Sequence, residues 1–236
     1  MSARNNPVSA RESPLLCYVT HRQGLSATSP ADSIEVLTRK IAEVAAAGVD
    51  WVQIREKDLT AGELASLTRQ ALRIAAKSSA EGSSSIRVLV NDRIDVAIAE
   101  RTAGVHLGEK GLPITEAQRL IKSAILRRAV DESFLIGVSC HSLESARAAE
   151  SSGADYILFG PIFATPSKQG FGPSQGTERL QQVCRAVSIP VLAIGLPIGI
   201  LLPLLSSSSR GQLHAVTSTA ASVGPYRLCN TAFFSL

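Results

Sequence analysis

The densest chemistry in the chain lies in Gln53-Ile54-Arg55-Glu56-Lys57. Side chains alternate along an extended strand, so Gln53, Arg55 and Lys57 share one side as an amide and two cations. A planar guanidinium fork beside a point-charge ammonium suits a di- or triphosphate. The competing reading is a surface salt-bridge patch in which Glu56 and Asp58 neutralise both cations. Asn91-Asp92 directly follows the apolar run Val88-Leu89-Val90. A carboxylate and an amide facing two cations suggest a Mg2+-diphosphate arrangement, since Mg2+ keeps waters and takes one or two carboxylates plus phosphate oxygens. An Asx turn capping a helix from Arg93 is the alternative.

Ser139 and His141 flank Cys140 at the end of another apolar run. Their i, i+2 placement gives poor geometry for a nucleophile and its base. No G-x-S-x-G elbow precedes the serine, which argues against a Ser-His hydrolase. The plainer reading makes Ser142 a helix N-cap and His141 a supporting hydrogen bonder. Cys140 reads as buried and unreactive, because nothing nearby would lower its pKa. Gly160 to Lys168 contains Thr165, Pro166, Ser167 and Lys168, and leads into Gly170, Gly172 and Gly176. Two hydroxyls and a cation on a glycine-rich loop suit closure over an anionic substrate. The loop is neither a Walker A sequence nor G-x-G-x-x-G.

Short β-branched runs alternating with helical periods must position these groups. Strands are expected at Leu15–Thr20, Trp51–Ile54, Val88–Val90, Gly104–Leu107, Phe134–Val138, Tyr156–Phe159 and Val191–Ile194. Helices are expected behind Asp32 and Ser33 as N-cap candidates, from the capping box Thr60-x-x-Glu63, and near Arg93, Thr115, Ser142 and Thr177. Seven β units joined by helices predict a parallel sheet, either doubly wound or a (β/α)8 barrel. Polar residues follow five different strands, among them Gln53/Arg55, Asn91/Asp92, His106, Ser139/His141 and Thr165/Lys168. A barrel would gather those ends at one mouth, so the α/β class expected is a small TIM barrel with an atypical eighth unit.

The 236 residues carry a formal charge of +4 and 4% aromatic residues. With so few aromatics and no Lys/Arg cluster, nucleic acid is a poor partner, whereas small phosphorylated molecules fit; self-association is left open. The longest apolar candidate, Ile189 to Leu205, is broken by Pro190, Gly195, Pro197, Gly199 and Pro203, so no membrane span is expected. Residues 1–14 read as a flexible leader without a secretory core. Cys17, Cys140, Cys184 and Cys229 form no C-x-x-C pair, which favours a reducing compartment and a cytoplasmic protein over a zinc site or a disulfide framework.

Val52 to Leu59, Val90-Asn91-Asp92-Arg93, Gly104 to Gly108, Gly137 to Ser142 and Gly153 to Lys168 occur in an order and spacing that resemble the thiamine-phosphate synthase family. A close relative of that family is the thiazole tautomerase. The resemblance covers roughly residues 15–195. It implies a (β/α)8 barrel that joins hydroxymethylpyrimidine diphosphate to hydroxyethylthiazole phosphate and releases pyrophosphate. By the same resemblance, Gln53, Arg55, Lys57, Asn91, Ser139 and Lys168 hold the pyrimidine diphosphate, and Asp92 ligates Mg2+. Thr165, Pro166, Ser167 and Gly195 would hold the thiazole phosphate. Ser139, Lys168 and His141 would form the catalytic set, His141 as the proton-transfer residue of a tautomerase.

Two departures keep alternatives open. The family's second metal-binding Asp falls in a Gly-Gln-Glu-Asp-like run, where this chain has Gly108-Glu109-Lys110-Gly111. Mg2+ would then rely on Asp92, Glu109 and phosphate, and the metal-independent tautomerase stays in play. Residues 196–236 contain only two charged residues, Arg210 and Arg227, against roughly 8 expected at average composition. They lack the family's second glycine and last strand. A shift of reading frame near codon 196 would account for this, because AGC serine codons read as GCA alanine codons one base on. Two outcomes stay open for the ring: it stays incomplete, leaving the first and seventh strands as exposed edges, or Gln212 to Thr217 substitutes as a weak eighth strand. A non-catalytic, substrate-binding barrel is the remaining alternative.

Overall fold

Apolar runs too short for helices become eight parallel strands. These are β1 (Leu16–Val19), β2 (Trp51–Ile54), β3 (Arg87–Asn91), β4 (Gly104–Leu107), β5 (Leu135–Cys140), β6 (Tyr156–Phe159), β7 (Val191–Ile194) and β8 (Leu213–Thr217). In this computed structural model, residues 15–25, 29–80, 85–163, 174–195 and 213–217 are described. The helices among them are α1 (Pro30–Ala46), α2 (Ala61–Ala80), α3 (Ile94–Ala99), α4 (Ile114–Leu126), α5 (Leu143–Ser151) and α6 (Gly176–Ala186). Five of the six return the chain from one of β1 to β5 to its parallel neighbour, and α6 joins β6 to β7. This is the connection that parallel pairing requires.

Strands pair in chain order, and β8 lies between β7 and β1, opposing Val191↔Leu213 on one side and Leu16↔Ala215 on the other. Of the two outcomes the substitute strand is the one observed, β8 falling within Gln212 to Thr217 and pairing with both β1 and β7. A parallel ladder is made by backbone groups, so an extended, proline-free segment of strand length such as Leu213–Thr217 can satisfy both edges.

Alternation divides the core in two. Cys17, Val19, Trp51, Leu89, Leu135, Tyr156, Leu192 and Ile194 form an inner cluster that contains no helical residue. The intervening positions, such as Val52, Val88, Val90, Val105, Ile136 and Ile157, pack outward with Leu37, Ile41, Leu64, Leu67, Ile121 and Leu180 of the helices. Each fully buried aliphatic side chain contributes about 1.5–3 kcal/mol of transfer free energy.

Side-chain caps set the starts of α1, α2 and α5. Thr60 and Glu63 form their reciprocal box, with Thr60 N donating to Glu63 Oε2 at 2.8 Å. Ser142 caps α5, its hydroxyl accepting from Ser145 N at 3.0 Å. For α1 the expectation is corrected: the N-cap is Ser29, whose side chain accepts from Asp32 N, and Pro30 takes the first helical position. Proline is preorganised for that place and lacks the N–H that would go unpaired there.

Candidate active site

Two residues further along four neighbouring strands, the inner positions turn from apolar or glycine to polar. Trp51 gives way to Gln53, Leu89 to Asn91, Gly104 to His106 and Gly137 to Ser139, all near the C-terminal strand ends. Strand alternation and ladder register therefore bring these four polar groups to one end of the sheet.

Their hydrogen bonds have a forced direction. The Asp92 carboxylate, which only accepts, takes Gly108 N at 2.7 Å on one oxygen and Asn91 Nδ2 at 2.7 Å on the other. This fixes Asn91 Oδ1 as an acceptor, and it receives Gln53 Nε2 at 2.8 Å. Gln53 is thereby oriented with Oε1 left over, buried and without a partner among the described residues. A buried acceptor left unpaired costs about 1–3 kcal/mol, so the site is built to receive a donor there. The Asx-turn reading of Asn91-Asp92 is not observed: the N-cap of α3 is Arg93, with no side-chain cap bond. Asp92 itself sits in the left-handed region at φ 59°.

The charges around β2 are sorted by a residue far upstream. Arg22 binds Asp58 through two hydrogen bonds of 2.7 and 2.6 Å, and its Nη1 reaches Glu56 Oε2 at 3.4 Å. Its backbone N–H also donates to both Glu56 oxygens at 3.1 and 3.2 Å. The Arg22 hydrogen bonds pull the Asp58 carboxyl down to about 2. Both carboxylates of the expected salt-bridge patch thus belong to Arg22. Arg55 and Lys57 carry no ion pair among the described residues. Arg55, half-buried, has its N–H tied to Thr20 Oγ1 at 2.8 Å. The shared-face expectation is corrected for Lys57, because β2 ends at Ile54 and Lys57 lies exposed in the turn that follows.

Ser139 Oγ lies 2.9 Å from His106 Nε2, and His106 Nδ1 lies 3.2 Å from Tyr156 Oη. His106 and Tyr156 are both buried, and burial holds the Tyr156 hydroxyl well above its ordinary pKa. His141 Nδ1 donates to the Gly160 carbonyl, leaving Nε2 as the ring's acceptor. Cys140 is buried, which pushes its thiol up to about 12 and agrees with the unreactive reading. Gly195, at φ +77°, accepts from Phe163 N at 2.9 Å and so holds the start of the loop after β6. Thr165, Pro166, Ser167 and Lys168 lie outside the described residues, as do residues 1–14, for which a leader is expected.

Sequence reasoning missed Arg22, which is 34 residues from Glu56 and has no local signal. It also missed Tyr156 as a site residue. The available clue was a tyrosine in the inner phase of an apolar strand, directly opposite Gly137 in the ladder.

The fold and site define a parallel α/β protein that gathers two amides, a carboxylate and, among the described residues, an Arg55 without an ion pair at the C-terminal ends of its strands. A family model described as thiamine monophosphate synthase matches residues 25–199, and the chain belongs to this family. It is 41% identical over 151 residues to the thiamine-phosphate synthase of Methanoculleus marisnigri, a match covering 64% of each chain. To the thiamine-phosphate synthase of Methanocella arvoryzae it is 39% identical over 180 residues, covering 75% of this chain and 74% of that one. The match to the Methanoculleus protein thus spans 64% of that relative's length, under two thirds of it. In fold it is similar to the thiamine phosphate pyrophosphorylase of Pyrococcus furiosus, with a TM-score of 0.66 and 24% identity over 86% of this chain and 85% of that one. Among the described residues no helix is long and apolar enough to cross a membrane.

Proposed function

We propose that this chain joins 4-amino-2-methyl-5-(diphosphooxymethyl)pyrimidine to hydroxyethylthiazole phosphate, giving thiamine phosphate and pyrophosphate. The observation that carries the reading is the buried Gln53 Oε1, without a partner among the described residues, two positions before Arg55, whose neighbouring carboxylates are engaged by Arg22. An aminopyrimidine diphosphate offers an amino N–H to the first and phosphate oxygens to the second.

In the reaction, the C–O bond between the pyrimidine methylene and the diphosphate breaks, and its electron pair leaves with pyrophosphate. The thiazole nitrogen lone pair then forms the new C–N bond. The electron-rich aminopyrimidine supports the intervening cation, so the protein's task is to stabilise the departing charge and orient the nitrogen. Arg55, Lys57 and Lys168 hold the diphosphate, Gln53 and Asn91 orient the ring, and Ser139 contacts it. Thr165, Pro166, Ser167 and Gly195 hold the thiazole phosphate.

Asp92 fits a Mg2+ ion riding on the diphosphate. Its carboxylate is exposed, each oxygen accepts one hydrogen bond, and lone pairs remain for a cation. Among the described residues no three His, Cys, Asp or Glu gather as a protein cage, which suits an ion completed by phosphate and water. Mg2+ bound there supplies charge neutralisation at the diphosphate. The finer architecture of this reading is a full (β/α)8 barrel acting in the cytoplasm.

Purified protein incubated with both substrates and Mg2+ should form thiamine phosphate and pyrophosphate in equal amounts. No product at high enzyme concentration, with an intact circular dichroism spectrum, overturns the reading. A second reading, thiazole isomerisation, is favoured by the tautomer of His141, whose Nε2 is free of the Gly160 bond and can act as base. Isomerisation without metal, abolished by His141→Ala, would support it.

A further inference from the structure

A buried tyrosine hydroxyl has one proton that needs an acceptor, and an unpaired one carries a desolvation cost. Among the described residues the partner of Tyr156 Oη is His106 Nδ1, at 3.2 Å. If Nδ1 carried a hydrogen it would donate to the tyrosine oxygen, and the tyrosine's own proton would be stranded in the core. The phenolate cannot relieve this, because burial favours the neutral hydroxyl. Tyr156 therefore donates to Nδ1, and the His106 hydrogen resides on Nε2, 2.9 Å from Ser139 Oγ. The serine oxygen accepts from the imidazole, and its own proton is left to be given away.

We propose that Tyr156 and His106 are positioning residues that make Ser139 a hydrogen-bond donor toward an acceptor atom of the bound pyrimidine diphosphate. The role of the relay in binding rests on the proposed function, whereas the relay itself belongs to the ligand-free protein. Gly137 makes the relay possible: the Tyr156 ring lies so close that a Cβ at residue 137 would meet its Cζ at 1.9 Å. The hydroxyl is thus delivered across the inner face of β5 toward His106 on β4. The imidazole stands 5.7 Å from the tyrosine ring, centroid to centroid. The relay also gives the two described mouth histidines opposite tautomers, since His141 donates from Nδ1.

The test is a long-range proton–nitrogen correlation spectrum of the ligand-free, 15N-labelled chain, with His106 assigned by its loss in His106→Gln. The expected result is a hydrogen on Nε2 and none on Nδ1 for His106, with the reverse for His141. A hydrogen on His106 Nδ1 overturns the proposal. Calorimetric affinity for the pyrimidine diphosphate, with Mg2+ present, provides a second arm. Tyr156→Phe should weaken binding about five- to tenfold, the loss of one hydrogen bond, and should have no further effect in a Ser139→Ala background. Equal losses in both backgrounds would show a merely structural role and overturn it. If the unaltered chain fails to bind this compound, the proposed function fails, and the relay is still decided by the spectrum.

Discussion

Gly137→Ala adds a single methyl group, and the structure specifies its cost. Gly137 and Tyr156 are opposed in the β5–β6 ladder. The new Cβ would lie 1.9 Å from Tyr156 Cζ and 2.3 and 2.4 Å from the two Cε atoms. Ordinary contact begins at 3.4 Å, so the ring must retreat by about 1.5 Å, far beyond the few tenths a packed core absorbs. It has nowhere to go: Tyr156 is 0% exposed and packs edge-on against Trp51 with centroids 4.9 Å apart. Overpacking costs about 1–3 kcal/mol, and a shift of this size belongs at the upper end. At about 2–4 °C per kcal/mol for a chain of this length, the midpoint should fall by about 6–12 °C. Urea unfolding followed by circular dichroism would show a lower midpoint at unchanged slope. Gly62→Ala is the control of opposite sign. Nothing lies within 4 Å of its Cβ and it sits in α2, so it should stabilise by about 0.5–1 kcal/mol. A Gly137→Ala chain within about 0.5 kcal/mol of the parent would show that the tyrosine ring does not occupy this seat, and the relay built on it would go too.

Arg22→Ala should weaken pyrimidine diphosphate binding even though the Arg22 side chain hydrogen-bonds only to carboxylates among the described residues. Glu56 and Asp58 would be released to compete for Arg55 and Lys57, and the buried Glu56 would lose a charged partner worth about 1.5–3 kcal/mol; unchanged calorimetric affinity would refute the charge sorting. Cys17 and Cys140 are buried, and their thiols are pushed up by that burial. Neither should react with a thiol reagent at pH about 8 until denaturant is added, and fast labelling of either in the native chain would contradict the core placement. Gly111→Asp should raise Mg2+ affinity once the neighbours give by the few tenths of an ångström needed to seat a Cβ 3.0 Å from Gly108 O and 3.3 Å from Asp92 Oδ1. Its side chain would bring a second carboxylate to the Asp92 side of the mouth, and an unaltered Mg2+ titration would place the ion elsewhere.

Strand identity and the inner phase were legible because both rest on period-2 patterning, which is local. β1, β2, β4, β6 and β7 fall within the expected bounds, and Gln53, Asn91 and Ser139 face the same interior. Lys57 shows the limit of that rule. Alternation holds only while the ladder lasts, and Thr20 Oγ1 takes the Arg55 N–H just where the chain leaves β2. The α1 start was misjudged because the apolar period begins at Ile34, four residues after Pro30; Ser29-Pro30 was the better signal. Arg22 and Tyr156 were illegible for another reason. Their roles depend on partners 34 and 50 residues away, and no spacing within one strand can announce them.

The polar inner positions come from β2, β3, β4 and β5, whereas the divergent tail contributes β8, whose contacts with β7 and β1 are backbone ladders. These two facts separate closure from chemistry. A strand of altered composition can satisfy the edges of β1 and β7, because hydrogen-bonded pairing is indifferent to side-chain identity. It cannot replace a phosphate site that depends on particular glycines or hydroxyls. The part of the proposed diphosphate site carried by β2 to β5 is therefore separated from β8 by β1 on one side and by β6 and β7 on the other. The thiazole-phosphate half depends on the loop after β6 and on Gly195, which holds that loop's first residues. On this division, damage confined to the tail should leave pyrimidine diphosphate affinity intact while thiazole phosphate affinity falls. Calorimetry with each substrate alone distinguishes this from a general loss of the fold, in which both affinities would fall together.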